Sequence, residues 1–181
     1  MSQPLTFRYI AFLRAINVGG HNVKMDHLRW LFSEIGFTNV ETFIASGNVI
    51  FDAQSPDDAA LATQIEHFLA QGLGYPVATL LRTPAEVTAA AQYQPFADLA
   101  ETDALSVAFV ALPPGEQAQQ RLMALQTDID DLQINGREVY WRCRTRVSDS
   151  KVSGAALEKA LKQPATVRNI TTVRKLAAKY G

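Results

Sequence analysis

Arg14, Asn17, Gly19, Gly20 and Lys24 lie close together between an apolar run and a helical pattern, and their types suit one task, the holding of an oxyanion. Glycines ahead of a helix let consecutive backbone N–H groups turn toward a ligand. Arg14 and Lys24 bring charge, and the amino end of a helix adds its partial positive end. The stretch is not a Walker loop, since the spacing and the Lys-Ser/Thr ending are missing, and it is not a Gly-x-Gly-x-x-Gly fingerprint. A structural account competes: the glycines supply turns with positive φ and Asn22 caps the helix.

A second gathering of charge lies near the end of the chain, where Arg142, Arg144, Arg146, Lys151, Arg168, Arg174 and Lys175 surround Ser148, Ser150 and Ser153. Arg144, Arg146, Ser150, Lys151, Arg168 and Asn169 are its candidate ligand contacts. Strand alternation puts Val139, Trp141 and Cys143 on one face and Tyr140, Arg142 and Arg144 on the other, so a solvated sheet face is the competing account. Asn169 has the place of an N-cap for the last helix, as Thr83 has for its counterpart. Cys143 reads as a buried structural thiol. His21, His27 and His67 lack metal-ligand spacing, so no metal site is expected and surface or capping roles are assigned to them. Asp57, Asp58, Asp130 and Asp131 are read as helix-end and turn carboxylates. No catalytic constellation or cofactor motif is present.

The elements that must position these residues follow from periodicity. Phe7 to Leu13 reads as a central strand buried on both faces. Met25, Leu28, Leu31, Phe32 and Ile35 form the stripe of an amphipathic helix that Gly36 ends. Val40 to Ala45 and Asn48 to Phe51 are short strands around Ser46-Gly47. Ser55-Pro56-Asp57-Asp58 opens a helix that ends near Gly72 to Gly74, Val77 to Leu81 is a strand, and Thr83-Pro84-Ala85-Glu86 is a capping box opening a short helix through Ala91. A linker is placed at residues 93–104. The order of elements then repeats: a strand from Leu105 to Leu112, a helix from Pro114 to Thr127, a turn at Gly136 between short strands, the second running from Val139 to Cys143, a helix from Ala155 to Lys162, a strand from Ala165 to Arg168 and a helix from Ile170 to Lys179.

Ala11-Phe12 matches Ala108-Phe109, Gly47 and Phe51 match Gly136 and Tyr140, and Arg82-Thr83 with Val87 match Arg168-Asn169 with Val173. The chain is therefore read as α+β, an internal duplication of two ferredoxin-like split β-α-β halves, each βαββαβ plus a short extra helix, over residues 1–92 and 105–181. One mixed sheet with chance similarity is the alternative. In such a half the loop leaving the first strand and the turn after the second emerge at the same end, so Arg14 to Lys24 should meet Ser46, Gly47 and Asn48, which are candidate ligand contacts with it.

With the glycine loop, the Ser46-Gly47-Asn48 turn, Ser150-Lys151 and the segment from Thr166 to Val173 in view, nearly the whole chain resembles the bacterial family DUF1697, a domain of unknown function. The resemblance implies an α+β fold of two ferredoxin-like parts and brings no activity. This chain departs from the family pattern by Ala15 where glycine is usual, Val152 where leucine is usual, and Ile170 and Thr171 where tryptophan and asparagine are common.

Composition sets the outer bounds. Seventeen Lys+Arg against eighteen Asp+Glu, net charge -1, argue against coating nucleic acid or anionic membrane by bulk charge, so an anion site must be focal. No apolar run approaches the roughly 20 residues needed to span a bilayer. A single cysteine and no signal-peptide pattern point to the cytoplasm. The expected function is binding of a phosphate-bearing small molecule or nucleotide, with no cofactor. A nucleic-acid-binding module and a phosphoryl- or nucleotide-processing enzyme are the alternatives. Nucleic acid is not favoured, because Tyr140 is the best placed of few aromatics able to stack bases. Oligomeric state is not legible.

Overall fold

The computed structural model describes residues 5–17, 19–44 and 47–181. Contacts divide the chain into two compact units, Met1–Val87 and Thr88–Gly181. The first contains β1 (Phe7–Leu13), α1 (Met25–Glu34), β2 (Thr38–Thr42), β3 (Asn48–Ala53), α2 (Asp58–Leu73), β4 (Thr79–Arg82) and the start of α3 (Pro84–Gln92). The second contains β5 (Ala104–Val110), α4 (Glu116–Met123), β6 (Asp130–Asn135), β7 (Glu138–Cys143), α5 (Gly154–Leu161), β8 (Ala165–Asn169) and α6 (Ile170–Tyr180). Each unit is an antiparallel four-stranded sheet, ordered β2-β3-β1-β4 in one and β6-β7-β5-β8 in the other. This is the ferredoxin-like order expected of both halves.

Apolar alternation builds each core. Tyr9, Ala11 and Leu13 of β1 pack with Leu28, Leu31 and Phe32 of α1 and Ile65 and Leu69 of α2. Ile10 and Phe12, on the opposite face of β1, are also fully buried, so the continuous apolar run corresponds to a strand shielded on both sides. In the second unit Val139, Trp141 and Cys143 join Leu122, Leu157 and Leu161, and Cys143 is the buried thiol expected.

Several boundaries differ from the sequence reading, each for a local reason. β2 starts earlier, at Thr38, because a bulge separates the Thr38–Asp52 pair from the Glu41–Ile50 pair, with Asn39 at a positive φ of 49°. Ala45, expected to end this strand, lies outside the described residues. The cap of α2 is Asp57, whose carboxylate accepts the Ala60 N–H at 3.0 Å, and not Ser55, whose hydroxyl accepts the Asp57 N–H. α4 stops at Met123, where Leu125 and Gln126 bond three residues back and tighten the chain.

The register corrects one of the internal matches. Ala11 faces Val49 and Leu81, and Ala108 faces Val139 and Val167. Val49 therefore corresponds to Val139 and Phe51 to Trp141, one position from the Tyr140 expected. The cause is the turn: Asn135 pairs with Glu138 across two residues, whereas the first unit uses a longer connection from Thr42 to Asn48. Arg82 and Arg168 correspond as expected, facing Ile10 and Val107.

Candidate functional site

β1 leads into the loop that separates it from α1. Its exit is fastened by the Leu13 N–H donating to the Gly47 carbonyl at 2.8 Å and the Arg14 N–H donating to that of Ala78 at 2.9 Å. A Cβ on Gly47 would stand 2.7 Å from Ile16 Cγ2, and φ there is +79°, so the turn and the loop touch because this residue has no side chain. The loop from Arg14 and the turn at Gly47 and Asn48 thus meet as the topology requires. Ser46 lies outside the described residues. Asn48 is fully buried and its side-chain amide donates to the Phe43 carbonyl at 2.8 Å, which closes the hairpin.

Within the loop, Asn17 Oδ1 accepts the Val23 N–H at 2.8 Å, so this asparagine braces the approach to α1. Gly19 and Gly20 both have positive φ, 67° and 87°. Asn22 is not the helix cap. Lys24 holds that place, and its own side chain makes no capping bond. Beside this end lies a cleft of about 520 Å³ lined by Gly20, His21, Asn22, Val23, Lys24 and His27, and closed on the other side by Gly72, Leu73 and Tyr75. Its described lining residues include no carboxylate. Asp26, in the first turn of α1, pairs with Arg29. Arg14, Asn17 and Gly19 are exposed and are not among the lining residues.

Two lining rings are stacked. The imidazole of His21 and the phenol of Tyr75 have centroids 3.7 Å apart at 23°, and the Tyr75 hydroxyl donates to the Ile16 carbonyl at 3.0 Å. Burial raises the pKa of that hydroxyl, so it stays a donor at neutral pH. His27 stacks on Trp30, centroids 5.6 Å apart. The sequence reading assigned His21 and His27 to surface or capping roles and passed over Tyr75. The i, i+3 spacing of Lys24 and His27 is a sequence signal that these two share a face at the start of α1; none marks His21. Tyr75 arrives from the end of α2, which no local pattern announces.

The second basic cluster is arranged differently. Arg142 is 4% exposed, and its guanidinium meets Asp131 at 2.7 Å, Asp98 at 2.8 Å and the ring of Phe96 at 4.7 Å. It fixes residues 93–103 against β7 and does not solvate a sheet face. The hydrogen bond and charge of Arg142 hold Asp98 below the usual carboxylate range. Arg144 also pairs with Asp131, at 2.7 Å. Ser150 donates to Asp130 at 2.8 Å, and Ser153 caps α5. Arg146 is exposed. Lys151 lines a smaller cleft, about 260 Å³, together with Asp128, Asp130 and Asp149, a lining of the wrong sign for an anion. Asp130 does serve a turn, exchanging bonds with Thr127, whereas Asp131 is not a turn carboxylate: it pairs with Arg142 and Arg144.

Arg168 is buried, donates to Thr166 Oγ1 at 2.7 Å and to the Val167 carbonyl at 3.0 Å, and has its pKa pushed down to about 10 by desolvation. Asn169 is the N-cap of α6, accepting the Thr171 N–H at 2.8 Å. Tyr140 is fully buried with its hydroxyl donating to the Ala90 carbonyl at 3.0 Å, so it offers no face to a base. Among the described residues no group of three or more His, Cys, Asp or Glu side chains is placed to hold a metal ion, and no helix is long and apolar enough to cross a membrane.

No curated protein matches this chain. A conserved bacterial protein from Streptococcus pneumoniae has a similar solved structure, with a TM-score of 0.73 and 26% identity over 97% of this chain and 99% of that one. The family described as a protein of unknown function, DUF1697, matches residues 7–140, from β1 into β7, and the chain belongs to that family.

Proposed function

We propose that the first unit binds a phosphate-bearing small molecule in the cleft between the Gly20–Lys24 loop and the end of α2. The observation that carries this reading is the lining: Lys24, His21 and His27 stand beside the amino end of α1, with no carboxylate among the described lining residues. In a chain of net charge -1 such a lining is a local departure, and N–H groups at a helix start favour negative charge. Its volume, about 520 Å³, falls within the range of small-molecule sites. Of the residues expected to bind, Gly20 and Lys24 line the cleft, while Asn17 and Gly47 shape the loop that carries them.

The ligand-bearing half, residues 1–92, its partner half, 105–181, and the connection at 93–104 are part of the same proposal, as are descent of the halves from one duplicated unit and a place in the cytoplasm. The cleft residues fall within the first half on this division and on the contact-based one. Titration calorimetry with inorganic phosphate and pyrophosphate tests the reading. Binding by the native protein should weaken at least about tenfold in Lys24→Ala, with the melting temperature nearly unchanged because an exposed lysine adds little to folding. Absence of binding to either anion, or equal binding by the variant, would remove the proposal.

A further inference from the structure

We propose that the ligand of this cleft is a nucleoside monophosphate, its base lying on the His21–Tyr75 ring pair and its phosphate reaching Lys24 and His27. The inference rests on the anion-binding reading above and adds the part of the ligand that an anion site leaves open. The two rings are stacked, with centroids 3.7 Å apart and planes 23° from parallel, and both line the same cleft as Lys24 and His27. Tyr75 is only partly exposed and is pinned through its hydroxyl to the Ile16 carbonyl. His21 is exposed and has Tyr75 against one face, so its other face is open to a planar group.

A polar imidazole held flat on a tyrosine in a glycine loop is a platform formed before any ligand arrives, and pre-formed platforms reduce the ordering cost of binding. Flat heteroaromatic rings stack on such surfaces with little regard to base identity. The aliphatic Leu73 and Val23 complete the apolar part of the lining, while Lys24 gives it a cationic side and His27 adds a ring nitrogen. A ligand matching both halves carries a planar ring and a phosphate joined by a short spacer, which is the constitution of a mononucleotide. A free sugar phosphate would leave the ring pair unused, and a nucleoside would leave the cationic side unused.

Calorimetry with AMP, GMP, CMP, UMP, adenosine, ribose 5-phosphate and inorganic phosphate decides the matter. At least one nucleotide should bind about tenfold or more tighter than ribose 5-phosphate, the gain corresponding to one stacked base. His21→Ala should abolish that difference, and His21→Phe, which keeps a flat ring, should retain it. Circular dichroism confirms that both variants fold. Equal affinity for nucleotides and ribose 5-phosphate would overturn the ring platform and leave the anion reading standing. If neither those ligands nor inorganic phosphate bind, both readings fall. A 5′-phosphorylated oligonucleotide that binds far tighter than every mononucleotide, with a salt slope of several units, would replace the mononucleotide by a nucleic-acid end.

Discussion

The indole N–H of Trp141 donates to Asp130 Oδ1 at 2.8 Å, joining the middle of β7 to the first residue of β6 through a carboxylate with no exposed surface. Ser150 donates to the same oxygen and Thr127 to Oδ2, each at 2.8 Å. Burial by itself would raise the pKa of this carboxyl, and the hydrogen bonds from Trp141, Ser150, Thr127 and Cys143 together outweigh it and hold the group below its ordinary value. A carboxyl whose folded pKa is lowered adds stability that is fully present above its unfolded pKa, about 4, and is lost as pH falls through the lowered folded value.

Asp130→Asn should therefore lower the unfolding free energy of the protein by about 1–3 kcal/mol, since an amide nitrogen set among donors leaves buried groups unpaired. It should also flatten the acid limb of the stability curve below about pH 4. Urea denaturation at a series of pH values checks both effects. An unchanged acid limb would show that Asp130 is not the group responsible.

Ala15 and Gly47 make a complementary pair of tests at the loop. Ala15 holds a left-handed φ of 54°. Ala15→Gly should raise stability by up to about 1 kcal/mol, because the left-handed region costs an L-residue roughly that much. Gly47→Ala should lower it by more than that amount, since the added Cβ meets Ile16 Cγ2 at 2.7 Å and Leu13 Cβ at 3.2 Å as well as the strained φ. Thermal melts of the two variants should move in opposite directions.

Asn169→Ala removes the acceptor for the Thr171 N–H at the start of α6 and should cost about 1 kcal/mol. Phosphate binding at the proposed cleft should be unaffected, because the side chain serves the helix. A loss of affinity without a loss of stability would return Asn169 to the ligand contacts.

How the sequence led to this structure is clearest in particular elements. The run from Phe7 to Leu13 determined a doubly buried strand, because seven residues with almost no polar interruption leave no face for water. The capping box at Thr83 and Glu86 predicted reciprocal bonds that form as read, at 2.8 Å and 3.2 Å. The repeated order of elements fixed two ferredoxin-like units, since short connections and right-handed crossovers leave few other arrangements.

Side-chain pairing across the sheet was decided only by the tertiary structure. Arg142 and Arg144 looked like free cations in a linear reading, yet Asp131, paired opposite Arg142 by the β6–β7 register, meets both. Tyr140 looked available for stacking until residues 88–103 packed onto its face of the strand, bringing Ala90 and Tyr93 against it. His21 and Tyr75 are far apart in sequence and meet only because the β1 exit loop and the end of α2 converge at one edge of the first unit. Periodicity along the chain encodes which face of an element is apolar. It does not encode which distant charge or ring will be opposite, because that depends on register and packing, and a shift of one residue changes the partner.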